Sequence, residues 1–278
     1  MPVRNFEIFY GILSVFFMMP LMSMCGDVPQ IVAHRGASHD APENTLPAVM
    51  LAWEKNADAT EVDVHMTRDH QIVVIHDSSS KRTTGSDFKI SEVDYAQLMH
   101  LDAGMWKSSQ YQGTRIPLLS DVLGKIPEGK KVFIEIKCPD SVLPHLKKVV
   151  AESGLSNDQA VFIAFDWETI RKAKLFFPDC SCFWLSGFKQ DATTKKWKPD
   201  PLELIRGALD AGVDGVDVHY KGPVDKKFVD LAHSKGLEVH VYTVNEVQDA
   251  RRMMDAGVDG ITSDRPAYLR NGLTQAEN

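Results

Sequence analysis

The stretch DAGVDG at Asp210–Gly215 recurs without change at Asp255–Gly260, and a weaker copy, NADA, occupies residues 56–59. Each copy follows an amphipathic run and precedes an apolar one. The glycine, or the asparagine in the weaker copy, is a residue that readily adopts the left-handed conformation that ends a helix. Three junctions of one pattern indicate a chain built from repeated strand–helix units.

Short apolar runs alternate with amphipathic runs along most of the chain, which is typical of a parallel sheet with helices between its strands. The pattern predicts strands at about 30–34, 59–64, 131–136, 160–165, 180–185, 214–218, 237–243 and 259–262. It predicts helices at about 45–56, 140–153, 167–176, 202–210, 224–234, 246–256 and 266–271. Eight such strands close naturally into a barrel, so the predicted fold class is α/β, a (β/α)8 TIM barrel.

One interval interrupts this alternation. Between about residues 72 and 128 the chain is too long for a single connection and too mixed in composition to be a simple loop. We interpret this interval as a small insertion after the second strand that folds over the carboxyl ends of the strands, with His76 near the start of the interval and the insertion itself at about residues 77–128. The polar segment Asp191–Lys198 is predicted to be a surface loop.

The first 25 residues differ in composition from the rest. An uncharged stretch at residues 8–26 follows a weakly basic start, which indicates a signal peptide at residues 1–25 or a short membrane anchor. The segment that ends at Cys25 resembles a bacterial lipoprotein signal, in which Cys25 would carry the lipid. We therefore expect an exported protein, periplasmic or anchored to the membrane, with a barrel domain at residues 28–275.

The composition excludes some classes of function. The net charge is −7 and no long basic run is present, so a nucleic-acid partner is not expected. The four cysteines have neither C-x-x-C nor zinc-site spacing. Cys180 and Cys182 share one face of a predicted strand, which suits small buried side chains better than a disulfide.

Acidic side chains lie at the ends of the predicted strands. Glu61 and Asp63 point to the same face, because alternate residues of a strand share a face, and Glu135 lies near the end of the next strand. The carboxyl ends of the strands of a parallel barrel meet at one end, where active sites form. Neighbouring carboxylates normally need a cation or a shared proton to offset their repulsion, and the oxygens of three acids suit one divalent cation, either Ca²⁺ or Mg²⁺.

Basic and titratable side chains are predicted at the same end of the barrel. His34 and His76 each follow an apolar run, and histidine is better suited to acid–base chemistry than to binding a hard cation. Arg35 offers the planar donor fork that recognises phosphate. Further polar candidates near strand ends are Lys137, Asp166, His219, Tyr242 and Asp264.

These motifs, in this order, resemble those of the glycerophosphodiester phosphodiesterases. The resemblance spans essentially the whole chain after residue 25, and it implies a (β/α)8 barrel with a small insertion after the second strand. The matching motifs are His34-Arg35-Gly36, Glu43-Asn44-Thr45, Glu61-x-Asp63, His76-Asp77, Glu135-x-Lys137 and Asp264-Arg265-Pro266.

The resemblance implies an enzyme, a metal-dependent phosphoric diester hydrolase that splits glycerophosphodiesters into glycerol 3-phosphate and an alcohol. It implies that Glu61, Asp63 and Glu135 hold one divalent cation, Ca²⁺ or Mg²⁺. His34 and His76 would then form the catalytic acid–base pair, one withdrawing a proton from the nucleophile and the other protonating the leaving group.

The resemblance also implies the residues that bind the substrate. Arg35 would bind the phosphate and Lys137 would help to neutralise it. Tyr242 stands where the family often has tryptophan, and it would supply an aromatic wall. Glu43 and Asn44 precede a predicted helix, which Asn44 or the following threonine would cap. Both are expected to support the ligands from behind rather than to bind the ion.

Two other features of the sequence are expected to bear less directly on the reaction. Ala164 stands where the family often has serine, so the site would lack one hydroxyl group at its edge. The motif Asp264-Arg265-Pro266 is interpreted as structural, with Pro266 opening the last helix.

Two alternative functions remain open at this point. A phospholipase D-like phosphodiesterase or lyase acting on intact lipid would display an exposed apolar lid, whereas the insertion is rather polar in sequence. A phosphate-binding protein without turnover would have lost an acid–base group, whereas both histidines are present. We therefore expect a small-molecule substrate, with Cys25 or the N-terminal segment as a possible membrane tether.

Overall fold

Eight parallel strands form a closed barrel in the computed structural model, which describes residues 28–274. The strands are β1 (Gln30–Ala33), β2 (Ala59–Met66), β3 (Lys131–Ile136), β4 (Ala160–Ala164), β5 (Ser181–Ser186), β6 (Gly215–His219), β7 (Glu238–Tyr242) and β8 (Gly260–Ser263). Each strand pairs with its neighbours in chain order. The last strand pairs with the first, with Gln30 opposite Gly260, and this pairing closes the barrel.

A helix follows each strand, directly or after an excursion, and packs on the outside of the barrel. The helices are α1 (Leu46–Glu54), α2 (Leu119–Leu123), α3 (Leu143–Glu152), α4 (Trp167–Phe176), α5 (Pro201–Ala211), α6 (Lys226–His233), α7 (Val247–Ala256) and α8 (Pro266–Thr274). The predicted fold class is therefore confirmed, and each predicted strand lies within two residues of the observed one. Helix α2 was not predicted, because five residues are too few to show helical periodicity.

The repeated junctions have the backbone conformation that their sequence predicts. Gly212 and Gly257 adopt φ values of 67° and 88° after helices α5 and α7. Asn56, in the weaker copy, adopts a φ of 60° after α1. In each case the left-handed residue reverses the chain into the next strand.

The aspartate of each junction explains why the pattern is repeated. Its carboxylate accepts a hydrogen bond from a backbone N–H near the start of the preceding strand, a donor that the sheet itself leaves free at the barrel rim. The three bonds are Ile31 N to Asp58 Oδ2 at 2.9 Å, Cys182 N to Asp214 Oδ2 at 2.8 Å and Val239 N to Asp259 Oδ2 at 2.7 Å.

The interior of the barrel is a packed core rather than a channel. Side chains that point inward form a cluster that includes Val32, Phe133 and Phe183. The ring of Phe133 lies 5.3 Å from that of His240, and the ring of Phe183 lies 4.7 Å from it. This layer forms a floor, so that space for a ligand remains only above it, at the carboxyl ends of the strands.

The segment between β2 and α2 forms the insertion. It contains a short strand, Ile72–Val74, that pairs antiparallel with β2, and two single-turn helices, Lys81–Thr84 and Tyr95–Leu98. Its buried side chains form their own cluster, separate from the main core: Val73, Ile75, Ile90, Val93, Leu98, Ala103 and Ile116. Leu119 and the rest of α2 pack instead into the main core, so the predicted interval of about 77–128 contains both insertion and barrel helix.

The predicted surface loop at Asp191–Lys198 lies in a small hairpin, with Lys189–Gln190 paired to Trp197–Lys198. Cys138, Cys180 and Cys182 are free thiols. Within residues 28–274, no helix combines the length and the apolar character needed to cross a membrane. The predicted signal peptide and Cys25 lie outside the described residues.

Candidate active site

Three carboxylates meet at the carboxyl ends of β2 and β3. Asp63 lies directly opposite Glu135 in the strand pairing, and Glu61 lies two residues earlier on the same face of β2. Their exposed fractions are 2% for Glu61, 0% for Asp63 and 8% for Glu135. One oxygen from each lies within 4.8 Å of the others. The sequence predicted this convergence from the alternation of side chains along β2 and from the parallel packing of the strands.

Burial makes this cluster electrostatically costly without a cation. Burial raises the pKa of Glu61 well above its usual value, and the charges of Asp63 and Glu135 raise it further. Burial, with the charge of Asp63, also raises the pKa of Glu135 to about 7, although Lys137 opposes the shift. Burial acts in the same direction on Asp63, but Arg35 and Lys137 outweigh it and lower the pKa of that carboxyl. The site therefore attracts positive charge.

Arg35 brings a fixed positive charge to the cluster. Its backbone N–H donates to Glu61 Oε2 at 2.8 Å, and its Nη1 donates to Glu43 Oε1 at 2.9 Å. Its Nε lies 3.3 Å from Asp63 Oδ2. The residue has a φ of 54°, and Gly36 after it has a φ of 79° and packs directly on the backbone of Ala48. This tight turn holds the guanidinium group over the acids.

His34 is held by an aspartate from the last strand junction. His34 Nδ1 donates to Asp264 Oδ1 at 2.6 Å. Asp264 also accepts from Ser38 Oγ at 3.0 Å and from Asn245 Nδ2 at 2.6 Å. Burial alone would raise the pKa of Asp264, but the hydrogen bond from His34 and its charge hold it well below its usual value. Asp264, which the sequence indicated to be structural, is thus the carboxylate that orients one histidine.

His76 is held in the same way, and its tautomer follows from its contacts. Lys137 Nζ lies 3.1 Å from His76 Nε2, and an ammonium group can only donate, so Nε2 is the accepting nitrogen. The ring proton therefore lies on Nδ1, which donates to Asp77 Oδ1 at 2.7 Å. Arg82 Nε donates to Asp77 Oδ2 at 2.7 Å. This hydrogen bond, together with the one from His76, lowers the pKa of Asp77 to about 2.

Glu43 and Asn44 support the cluster from behind. Asn44 Nδ2 donates to Asp63 Oδ2 at 2.7 Å, and the backbone N–H of Asp63 donates to Asn44 Oδ1 at 3.0 Å. Glu43 accepts hydrogen bonds from Arg35 and from both terminal nitrogens of Arg82, at 2.9 Å and 2.7 Å. Thr45, rather than Asn44, caps helix α1. Asn44 instead adopts a left-handed φ of 58° that aims its amide at Asp63.

A cavity of about 190 Å³, which we call the central cavity, is lined by most of the predicted site residues. Tyr242 forms part of its apolar wall, with its ring edge-on to Phe165 at 5.9 Å. Burial, together with the charges of Asp217 and Glu135, raises the pKa of the Tyr242 phenol above its usual value. The predicted residues that line this cavity are His34, Arg35, Glu61, His76, Glu135, Lys137 and Tyr242.

Not every candidate belongs to this cavity, and some of its residues were not predicted. Asp166 caps helix α4 by accepting from Thr169 N at 2.8 Å. His219 stacks on Tyr220 beside the cavity. Asp217 lines the cavity with a buried oxygen that has no hydrogen-bond partner within residues 28–274. In the sequence, only its alternation with valines on β6 indicated that it faces inward. Asp77 follows His76 directly, and that adjacency was the available signal for its role.

The (β/α)8 barrel carries buried carboxylates, an arginine and two carboxylate-held histidines at one end. This arrangement defines an enzyme equipped for acid–base chemistry on an anionic substrate. The sequence model of the glycerophosphoryl diester phosphodiesterase family matches residues 34–268. The chain belongs to this family. The prediction that it is an enzyme, a glycerophosphodiester phosphodiesterase, is confirmed.

Three relatives illustrate the match. A glycerophosphodiester phosphodiesterase of Bacillus subtilis (strain 168) is 30% identical over 251 residues, covering 84% of this chain and 83% of the relative. Human lysophospholipase D GDPD1 is 27% identical over 290 residues, covering 87% of this chain and 85% of the relative. An Oleispira antarctica phosphodiesterase, solved in complex with its product sn-glycerol-3-phosphate, superimposes with a TM-score of 0.79 at 25% identity, covering 89% of this chain and 98% of that one.

Proposed function

We propose that the protein hydrolyses glycerophosphodiesters to glycerol 3-phosphate and an alcohol, with one bound divalent cation and two catalytic histidines. The observation that carries the proposal is the convergence of Glu61, Asp63 and Glu135 within 4.8 Å, beside two histidines that carboxylates hold in place. The product named in the structure of the Oleispira antarctica relative supports glycerol 3-phosphate as one half of the substrate.

The carboxylates fit a hard cation. Glu61 Oε1 and Asp63 Oδ1 are buried oxygens without a hydrogen-bond partner among the described residues. Unpaired buried carboxylate oxygens are the donors that Ca²⁺ and Mg²⁺ prefer, and a cation would offset the burial and the mutual repulsion that raise the pKa of Glu61 and Glu135. Such an ion, held by Glu61, Asp63 and Glu135, would stabilise charge that develops on the phosphate oxygens.

The cationic side chains position the phosphate. Arg35 presents a donor fork to the cavity and is itself fixed by Glu43, Glu61 and Asp63. Lys137 lies 2.9 Å from Glu135 Oε1 and 3.6 Å from Asp63 Oδ1, which places a second positive charge beside the acids. Both would neutralise a phosphodiester in the ground state and more strongly in the transition state.

The two histidines take opposite roles. His76 Nε2 is the ring nitrogen without a proton in this arrangement, so we assign His76 the role of general base for the nucleophile. His34 Nδ1 donates to Asp264, which leaves Nε2 as the nitrogen that can exchange a proton with the substrate. We assign His34 the remaining role, that of the general acid that protonates the leaving alkoxide through Nε2. The same roles serve attack by the glycerol 2-hydroxyl or by water.

The test is release of glycerol 3-phosphate by the purified protein, with and without a chelator, beside His34→Ala and His76→Ala. We expect release to require Ca²⁺ or Mg²⁺ and to fall by about two to four orders of magnitude in each variant. Circular dichroism of each variant would show that the barrel is intact. Full activity in the chelator, or in either variant, would contradict the proposal.

A lysophospholipid is the second candidate substrate. The human relative is named lysophospholipase D, and Met105 and Trp106 of the insertion are 51% and 42% exposed. The assay should therefore include lysophosphatidylcholine. Choline release from this lipid that is faster than from glycerophosphocholine would make the lipid the main substrate.

Export remains part of the proposal. Residues 1–25 have the composition of a signal peptide, and Cys25 has the position of a lipidated cysteine. Mass spectrometry of the N-terminus after expression in a bacterial host would distinguish removal of the signal, lipidation of Cys25 and retention of an intact anchor.

A further inference from the structure

Three cavities meet around Lys137. The central cavity, at about 190 Å³, is smaller than the roughly 300 Å³ at which pockets for whole ligands begin. One half of a diester must therefore lie outside it. Lys137 also lines a cavity of about 380 Å³, which we call the serine cavity, and one of about 410 Å³, which we call the Phe165 cavity.

We propose that the serine cavity binds the alcohol half of the substrate and selects an uncharged or anionic polyhydroxy alcohol over a quaternary ammonium alcohol. This inference rests on the proposed function and names the head group that it leaves open. The cavity lies between the end of β2, the insertion and the loop after β3. Its lining includes Thr67, Arg68, Ser78, Ser91, Lys137 and Ser141.

The hydroxyl groups of this cavity are available to a ligand. Ser78, Ser91 and Ser141 are exposed, and their hydroxyls make no hydrogen bond to another residue within 28–274. By contrast, the hydroxyl of Thr67 is engaged with Asp69 at 2.6 Å. A serine hydroxyl both donates and accepts, so three of them around one cavity match an alcohol that carries several hydroxyls.

The lining of the serine cavity lacks the groups that recognise a cationic head group. Among its described lining residues there is no aspartate or glutamate, and no phenylalanine, tyrosine or tryptophan, although the chain carries a net charge of −7. Its cationic side chains are Lys137, which is paired with Glu135, and Arg68, which is paired with Asp94. Recognition of a quaternary ammonium group depends on aromatic faces or carboxylates. The serine cavity offers neither to such a head group.

The aromatic ring and the carboxylates of the Phe165 cavity are already in contact with other residues. Lys137 Nζ lies 6.0 Å from the centre of the Phe165 ring, which is 50% exposed, so this ring already has one cationic partner. Asp166 is committed to capping helix α4 through Thr169, and Glu135 is paired with Lys137 at 2.9 Å. A cationic head group in the Phe165 cavity would therefore compete with Lys137 for the Phe165 ring and for Glu135.

The experiment compares kcat/KM for glycerophosphoinositol, glycerophosphoglycerol and glycerophosphocholine, with glycerol 3-phosphate release as the readout. We expect the wild-type protein to prefer the two polyol head groups by about tenfold or more. Ser78→Ala and Ser141→Ala should each lower kcat/KM for glycerophosphoinositol by about three- to tenfold, with glycerophosphocholine unchanged. Ser120→Ala, at an exposed serine of α2 outside these cavities, should leave the ratio unchanged.

The outcomes separate this inference from the proposed function. No glycerol 3-phosphate from any of these substrates would overturn the proposed function itself. Release with an equal or greater preference for choline would overturn the selection of head group alone. A polyol preference that survives both serine substitutions but disappears in Phe165→Leu would move the head group to the Phe165 cavity and so overturn the assignment.

Discussion

His34 and Asp264 lie 230 positions apart in the chain, yet His34 Nδ1 donates to Asp264 Oδ1 across 2.6 Å. The bond joins the end of β1 to the end of β8, so it exists only because those two strands close the barrel. It fixes the proton of the ring on Nδ1 and leaves Nε2 as the nitrogen that can exchange a proton with the substrate.

Asp264→Asn tests this relationship. An amide at this position can donate to Nδ1 and so reverse the tautomer, and it no longer stabilises the charged ring. We expect kcat to fall by about two to three orders of magnitude with little change in KM. Ser38→Ala, which removes another hydrogen bond to the same carboxylate, should cost less than about threefold. Equal losses in the two variants would assign Asp264 a structural role.

Glu135→Gln tests the cation site. The substitution keeps the volume but removes one of three negative charges and an anionic oxygen ligand. We expect affinity for Ca²⁺ or Mg²⁺, measured by titration calorimetry on chelator-treated protein, to fall about 100-fold or more. Glu128→Gln, at an exposed acid that precedes β3, is the matched control and should bind as the wild-type protein does. Unchanged affinity in Glu135→Gln would remove Glu135 from the site.

Substitutions at Asn44 separate the effect of its side-chain hydrogen bonds from the effect of its left-handed backbone conformation. Asn44→Ala and Asn44→Gly both remove the hydrogen bonds that orient Asp63, so both should weaken cation affinity by about 10- to 100-fold. Only alanine must also adopt the left-handed φ of 58° at a steric cost. We therefore expect a lower Tm for Asn44→Ala than for Asn44→Gly. Equal Tm values would show that the backbone there relaxes.

Arg82 ties the insertion to the barrel. It donates to Glu43 at 2.9 Å and 2.7 Å and to Asp77 Oδ2 at 2.7 Å, and Asp77 in turn orients His76. Arg82→Ala should lower kcat by about tenfold and should expose the insertion to limited proteolysis. Lys81→Ala, in the same short helix, removes an exposed pair with Asp87 and should change neither. A fully active, protease-resistant Arg82→Ala would contradict this role.

Asp217 should make stability depend on pH. Burial raises its pKa from 3.8 to about 7, so the folded protein retains a proton that the unfolded chain loses between these values. Stability from this group is therefore lost as the pH rises through that window. In Asp217→Asn, Tm relative to wild type should increase from about pH 4 to about pH 8. Asp210→Asn, at an exposed acid, should show no such trend, and a flat difference for Asp217→Asn would indicate a normal carboxyl pKa.

The sequence alone determined the features that depend on local pattern. The alternation of apolar and amphipathic runs, with left-handed residues at Asn56, Gly212 and Gly257, was sufficient to predict eight strands and a barrel. Alternation within β2 placed Glu61 and Asp63 on one face, and parallel packing brought Glu135 beside them. These signals arise within a few residues of each other, where backbone geometry restricts the outcome.

Only the tertiary structure decided which side chains are partners across the barrel. Asp264 was interpreted as structural, because nothing near it in sequence shows that β8 brings it to His34. Three other features have the same origin: the hydrogen bonds from Arg82 to Glu43, the position of Lys137 where three cavities meet, and the inward-facing carboxyl of Asp217. Such contacts depend on strand register and ring closure, which fix distances between residues far apart in the chain and which no local pattern encodes.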